Sequence, residues 1–64
     1  MTPLQETVYG ELDPDEGRTA FQIAVTVGLK VESVRNALVR LSWSSKAQYT
    51  VGAPNDVAIW TRPS

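Results

Sequence analysis

The residues that could carry chemistry in this chain are carboxylates, lysines and aromatic rings, because the sequence contains no histidine and no cysteine. A thiolate nucleophile, a disulfide and a Cys/His zinc site are therefore excluded. General acid–base catalysis would need a carboxylate or a lysine with a strongly shifted pKa in a buried pocket, which so short a chain rarely provides. No glycine-rich phosphate loop is present. The sequence predicts a protein that is not an enzyme and needs no cofactor.

The acidic residues of the segment 13–17 are the first of two groups of side chains that could bind a ligand. The carboxylates of Asp13, Asp15 and Glu16 could hold a cation, but Pro14 and Gly17 mark a surface turn. A solvated acidic loop is therefore favoured, and no metal site is expected.

The aromatic residues of the second half allow a similar comparison. Trp43, Tyr49 and Trp60 could stack on unpaired bases. Aromatic residues on a small hairpin more often close the core, and this interpretation is favoured.

Charge is divided unevenly along the chain, although the net charge is only −1. The first 17 residues hold five acids and no base, whereas residues 18–64 hold six bases and two acids. DNA affinity comes largely from Lys and Arg that neutralise phosphates, so the acidic total argues against DNA binding. A chain with this distribution can still present one basic face.

Start signals, stop signals and apolar spacing predict three helices. The first begins at Thr2-Pro3, carries a stripe of Leu4, Val8 and Leu12, and ends at the breaker cluster 13–17. The second covers 20–27, is capped by Thr19 and stops at Gly28. The third covers roughly 31–42. Its inward stripe is Val31, Val34, Leu38 and Leu41, with Ala37 beside it.

The pattern changes after the third helix. Residues 47–51 and 57–62 alternate with a period of two and flank the turn-rich segment 52–56. Two strands joined in this way form a hairpin, which must lie on the helices because a lone hairpin is marginal in water. Residues 1–64 are thus expected to form a single domain.

The segment 23–41, IAVTVGLKVESVRNALVRL, resembles the helix-turn-helix core of winged-helix bacterial regulators. With the hairpin as the wing, the resemblance covers roughly residues 19–62. It implies an α+β fold of three helices followed by a two-stranded wing. It also implies that Ala24 permits a close helix approach, that Gly28 makes the turn and that Leu29 fills the corner.

By this resemblance the third helix (31–42) enters the major groove of double-stranded DNA. Arg35 would then pair with guanine, Asn36 with adenine, and Val39 would touch a thymine methyl group. The full set implied for DNA contact is Lys30, Glu32, Ser33, Arg35, Asn36, Val39, Arg40 and Lys46, of which Arg40, Lys30 and Lys46 suit phosphates. Two departures from the pattern are Lys30, which is a poor helix cap, and a wing tip without a base.

The sequence is compatible with two functions. The first is a small cytoplasmic, phage-like DNA-binding regulator of transcription or an accessory protein. The alternative is a protein-interaction module on the same scaffold, phage-encoded and acting on host transcription or defence machinery. The position of charge distinguishes them: an uninterrupted face of Lys30, Arg35, Arg40 and Lys46 favours DNA, whereas interruption by Glu32 and the acidic loop favours a protein.

A protein partner or homodimer would use Phe21, Val25 or the acidic N-terminal segment. For Phe21 and Val25, packing under the first helix or the hairpin is the favoured expectation. No membrane-spanning segment is expected.

Overall fold

The computed structural model describes residues 1–52 and 57–63, and its element order is the predicted one. The helices are α1 (Pro3–Gly10), α2 (Ala20–Val27) and α3 (Val31–Trp43), and the strands are β1 (Gln48–Gly52) and β2 (Val57–Thr61). The third helix ends one residue later than predicted, at Trp43. Most of the wing tip, residues 53–56, lies outside the described residues. None of the helices described is long and apolar enough to cross a membrane.

Threonines begin the first two helices, as predicted. The hydroxyl of Thr2 accepts the backbone N–H of Gln5 at 3.2 Å, and that of Thr19 accepts the N–H of Gln22 at 3.1 Å. In both cases the glutamine side chain accepts the threonine N–H in return, which completes a capping box. Lys30 precedes α3 without a side-chain cap, so the first N–H groups of this helix stay open.

Gly28 sets the angle between α2 and α3. Its φ is +73°, and its N–H donates to the carbonyl of Ala24 at 2.9 Å. The left-handed backbone costs glycine nothing and ends α2 within one residue. The expectation that Leu29 fills this corner is wrong: the side chain is 39% exposed, because the turn carries it outward.

The core is built around α3. Val34, Ala37, Leu38 and Leu41 are all at most 2% exposed, which confirms the predicted inward stripe; Val31 is half-buried. Both other helices pack on this side of α3. They contribute Val8 from α1 and Ile23 and Ala24 from α2. In the predicted first-helix stripe, Val8 and Leu12 are buried but Leu4 remains 36% exposed. The expectation that Leu12 lies within this helix is wrong, because α1 ends at Gly10.

The outer side of α2 is apolar and exposed. Phe21 and Val25 are 64% and 67% exposed, so the expectation that α1 or the hairpin covers them is wrong. Only the side that bears Ile23 and Ala24 is buried. Because α2 packs chiefly on α3 and only slightly on α1 and β2, the opposite side of this short helix is left open.

The hairpin is attached through one aromatic side chain. Trp60 is 5% exposed and joins the core, and its neighbour across the ladder is Tyr49, with ring centroids 4.9 Å apart. The backbone of Trp60 also pairs with Arg18: Arg18 N–H donates to Trp60 O at 3.0 Å, and Trp60 N–H donates to Arg18 O at 2.8 Å. All of β1 except Gly52 is exposed, so the hairpin packs on the helices mainly through β2.

The acidic loop between α1 and α2 is folded on itself. One carboxylate oxygen of Asp13 accepts the N–H groups of Asp15 and Glu16 at 2.8 and 3.0 Å. Arg18 donates to the carbonyl of Glu11 and lies 3.7 Å from its carboxylate. The hydrogen bonds from Glu16 and Asp15, with Arg18 and Arg62 nearby, hold the pKa of Asp13 below its ordinary value of 3.8.

Gly17 should be far less tolerant of a side chain than Gly10. A Cβ at Gly17 would collide with the branched side chain of Ile59 on β2, whereas a Cβ at Gly10 meets nothing within 4 Å. We expect Gly17→Ala to destabilise the fold by about 1–3 kcal/mol. The matched Gly10→Ala should be neutral or stabilise it by up to about 1 kcal/mol. Urea unfolding followed by circular dichroism measures both, and equal midpoints would contradict the close approach of loop and strand.

The lowered pKa of Asp13 predicts a pH dependence of stability. The charged carboxylate stabilises the fold above the ordinary pKa, and this contribution is lost as the pH falls through the lower folded-state pKa. Asp13→Asn should therefore reduce the urea midpoint at pH 7 and flatten its decline between about pH 5 and pH 2. Asp15→Asn removes the same charge from the loop without touching the two hydrogen bonds. A variant at position 13 that behaves like the one at 15 would refute the role of Asp13.

Candidate nucleic-acid interface

Most of the side of α3 that faces away from the core is exposed, and Val39 on this side is half-buried. Successive residues of a helix are turned by about 100°, so a row spaced four, three and four lies opposite the buried stripe. This row consists of Glu32, Asn36, Val39 and Trp43. Arg35 flanks it on one side and Arg40 on the other. These six residues are here called the outward face.

The structure leaves most of the predicted contact residues accessible. Six of the eight are exposed, namely Lys30, Glu32, Arg35, Asn36, Arg40 and Lys46. Ser33 is half-buried on the edge of the face. Val39 is also half-buried and packs against the core, so only part of its side chain can meet a ligand.

Arg35 and Arg40 face different grooves. Arg35 lines a mostly apolar groove of about 390 Å³ between α2, α3 and β2, which also includes Phe21, Val39 and Ala58. Arg40 lines a shallower groove with Asn36 and the start of α1. The two arginines are about 140° apart around the helix. They therefore straddle the outward face rather than forming one patch.

The charges resolve into two separate sets. Arg18 and Arg62 are held at the acidic loop: Arg18 contacts Glu11, while Arg62 lies 5.8 Å from the ring of Tyr9 and its backbone N–H donates to Asp13 O. Lys30, Arg35, Arg40 and Lys46 are distributed along α3 and its two ends. Glu32 is the acid among them, and the acidic loop lines neither of the two grooves described.

The two ends of α3 each carry a lysine. Lys30 is the exposed residue before the first turn, where open backbone N–H groups add a partial positive charge. Lys46 is exposed three residues beyond Trp43, after Ser45, whose φ is +59°. With 13 residues, α3 is about 20 Å long, so the four cations extend over more than that length.

Sequence reasoning did not include Trp43 in the contact set for duplex DNA. The predicted third helix ended at about residue 42, but Trp43 completes α3 and is 74% exposed. The signal was available in the spacing, because Trp43 follows Asn36 by seven residues, or two helical turns. Core closure, favoured for all three aromatics, is confirmed for Trp60 alone.

No family model and no curated protein matches the chain. A search of solved structures matches the Zalpha domain from Carassius auratus PKZ, solved in complex with Z-DNA. The TM-score is 0.77 at 20% sequence identity, and the match covers 92% of this chain and 90% of that one. Three helices followed by an antiparallel hairpin align over nearly the whole of both chains. The expectation of an α+β winged helix-turn-helix is confirmed: this chain has the winged-helix fold.

Proposed function

We propose that the protein binds double-stranded DNA by placing the outward face of α3 in the major groove. The observation that carries this proposal is the position of α3, whose buried stripe organises the core while its opposite side is accessible and flanked by Arg35 and Arg40. An α-helix with its side chains is about 10–12 Å across, which matches the roughly 12 Å width of the major groove.

The straddling arginines suit a helix that lies between two phosphate backbones. Arg40 on one flank and the lysines at the ends of α3 would neutralise phosphates. Arg35 lies in the first half of α3, where its guanidinium can reach guanine or the opposite backbone. Asn36, on the central row, can form the bidentate pair with adenine.

Glu32 gives the face selectivity at the expense of general affinity. Its carboxylate is exposed in the first turn of α3 and repels phosphates. In the major groove it can accept a hydrogen bond from the amino group of cytosine. The single acid among four bases thus favours particular sequences over DNA in general, as expected of a transcriptional regulator or accessory protein.

The proposal leaves the helical form of the bound DNA, B or Z, to be determined by experiment. The structurally similar Zalpha domain was solved in complex with Z-DNA. A binding survey should therefore include alternating guanine–cytosine duplexes in both the B and the Z form, besides a mixed-sequence duplex pool. Circular dichroism of the DNA reports which form is present in each complex.

Replacing Arg35 and Arg40 should weaken DNA binding without affecting the fold, because both side chains are exposed. We expect each alanine variant to lose roughly tenfold in affinity and the double variant to bind close to background. For Arg40→Ala, the slope of log K against log salt should fall by about one, as for the loss of one phosphate contact. Fluorescence anisotropy at low and physiological salt measures both quantities.

Arg62→Ala is the matched control, since it removes one positive charge at the acidic loop and away from α3. It should change affinity much less than either variant on α3. Equal losses in all three single variants would indicate a net-charge effect and contradict binding by this face. Failure of the wild-type protein to bind any of the duplexes at low salt would refute the proposed function.

A second candidate function, protein association, is favoured by the outer side of α2. Phe21 and Val25, one helical turn apart, form an apolar stripe and are 64% and 67% exposed, and Leu29 after the turn is 39% exposed. In addition, α2 contains no charged residue. Two copies could therefore pack these stripes against each other in a two-fold, antiparallel arrangement without charge repulsion. This would give a DNA-binding dimer.

Sedimentation equilibrium tests that association. The wild-type protein should show concentration-dependent self-association, and replacement of Phe21 and Val25 with serine should abolish it while the circular dichroism spectrum is retained. Thr26→Ala, on the same helix, is the control. A wild-type protein that stays monomeric at high micromolar concentration would rule out the homodimer.

A further inference from the structure

Trp43 has the most exposed large apolar side chain of the residues described. It is the last residue of α3 and is 74% exposed, while the other tryptophan, Trp60, is 5% exposed. Aromatic side chains normally supply core or interface contacts. The fold already has its aromatic anchor in Trp60, so Trp43 contributes little to the core.

One basic side chain lies against the Trp43 ring. The guanidinium carbon of Arg40 lies 6.0 Å from the centroid of the Trp43 ring, one helical turn earlier. This cation–π contact restrains both side chains. It can occupy only one face of the indole, which leaves the other available.

Lys46 completes the group from the chain that leaves α3. The N–H groups of Ser45 and Lys46 donate to the carbonyls of Ser42 and Leu41 at 3.1 and 2.9 Å. These bonds fix the turn, and Lys46 is exposed directly after it. Arg40, Trp43 and Lys46 are here called the basic-aromatic cluster.

We propose that the basic-aromatic cluster binds an unstacked base of DNA next to the duplex held by α3. Trp43 stacks on the base, and Arg40 and Lys46 neutralise the phosphates beside it. This inference rests on the proposed function, because Trp43 lies on the outward face at about 10 Å along α3 from Asn36.

The chemistry of the cluster identifies this ligand. In an intact duplex both faces of each base are covered by its neighbours, and only edges and backbone are accessible. An indole ring can stack only where a base is unpaired, bulged or at a strand end. Stacking tolerates any base, since every base has a π face, so the cluster recognises a local DNA structure rather than a sequence.

The experiment compares two duplexes of the same sequence, one fully paired and one with a single bulged thymine in the middle. Fluorescence anisotropy at one salt concentration gives both affinities. The wild-type protein should bind the bulged duplex roughly tenfold more tightly. Binding of the bulged duplex should also quench the tryptophan fluorescence of the wild-type protein more than binding of the paired one, and this difference should disappear in Trp43→Ala, which retains only the buried Trp60.

Two variants test the indole itself. Trp43→Ala should lose the preference for the bulged duplex, so that its affinities for the bulged and the paired duplex agree within about twofold. Trp43→Phe, which keeps an aromatic face, should retain most of the preference. Circular dichroism checks the fold of each variant, and the comparison of duplexes by the wild-type protein does not depend on them.

The outcomes separate this inference from the proposed function. Equal affinity of the wild-type protein for both duplexes, or an unchanged preference in Trp43→Ala, would overturn the role of the cluster while duplex binding stands. Absence of binding to either duplex would refute both the role of the cluster and the proposed function. A preference that depends on an aromatic residue at position 43 would support both.

Discussion

Burial of one side of α3 is the constraint on which the structure depends. Val34, Leu38 and Leu41 are almost completely excluded from solvent, and α1 and α2 are held in place largely by packing on them. In a domain of this size no other element could organise the core. Because the inner side of α3 is fully committed to packing, substitutions that leave the fold intact are confined to its outer residues.

Local signals were sufficient for the architecture. The capping threonines, Gly28 and the apolar spacing of α3 each act within a few residues of chain, so the sequence predicts them well. The burial of the outer side of α2 was harder to predict. Whether Phe21 and Val25 are buried depends on how closely α1 and the hairpin approach, and that is decided by long-range packing.

The candidate interface likewise combines local features that the sequence predicts with long-range features that it does not. Periodicity identified the accessible residues of α3, but it did not show that Arg35 and Arg40 face separate grooves. Nor did composition reveal that Arg18 and Arg62 are held by the acidic loop. The basic surplus of residues 18–64 is therefore smaller at α3 than the sequence suggests, and what remains there lies along a single helix.

The attachment of the hairpin also affects how the protein can diversify. Trp60 and its backbone pairing with Arg18 lie at one end of the ladder, near the pair Gln48–Thr61, whereas the pair Gly52–Val57 closes the other end. Residues inserted, deleted or exchanged beyond that far pair do not alter the anchor. The length and chemistry of the wing can therefore vary between homologous proteins independently of the helical core, giving two separately evolvable surfaces on one small scaffold.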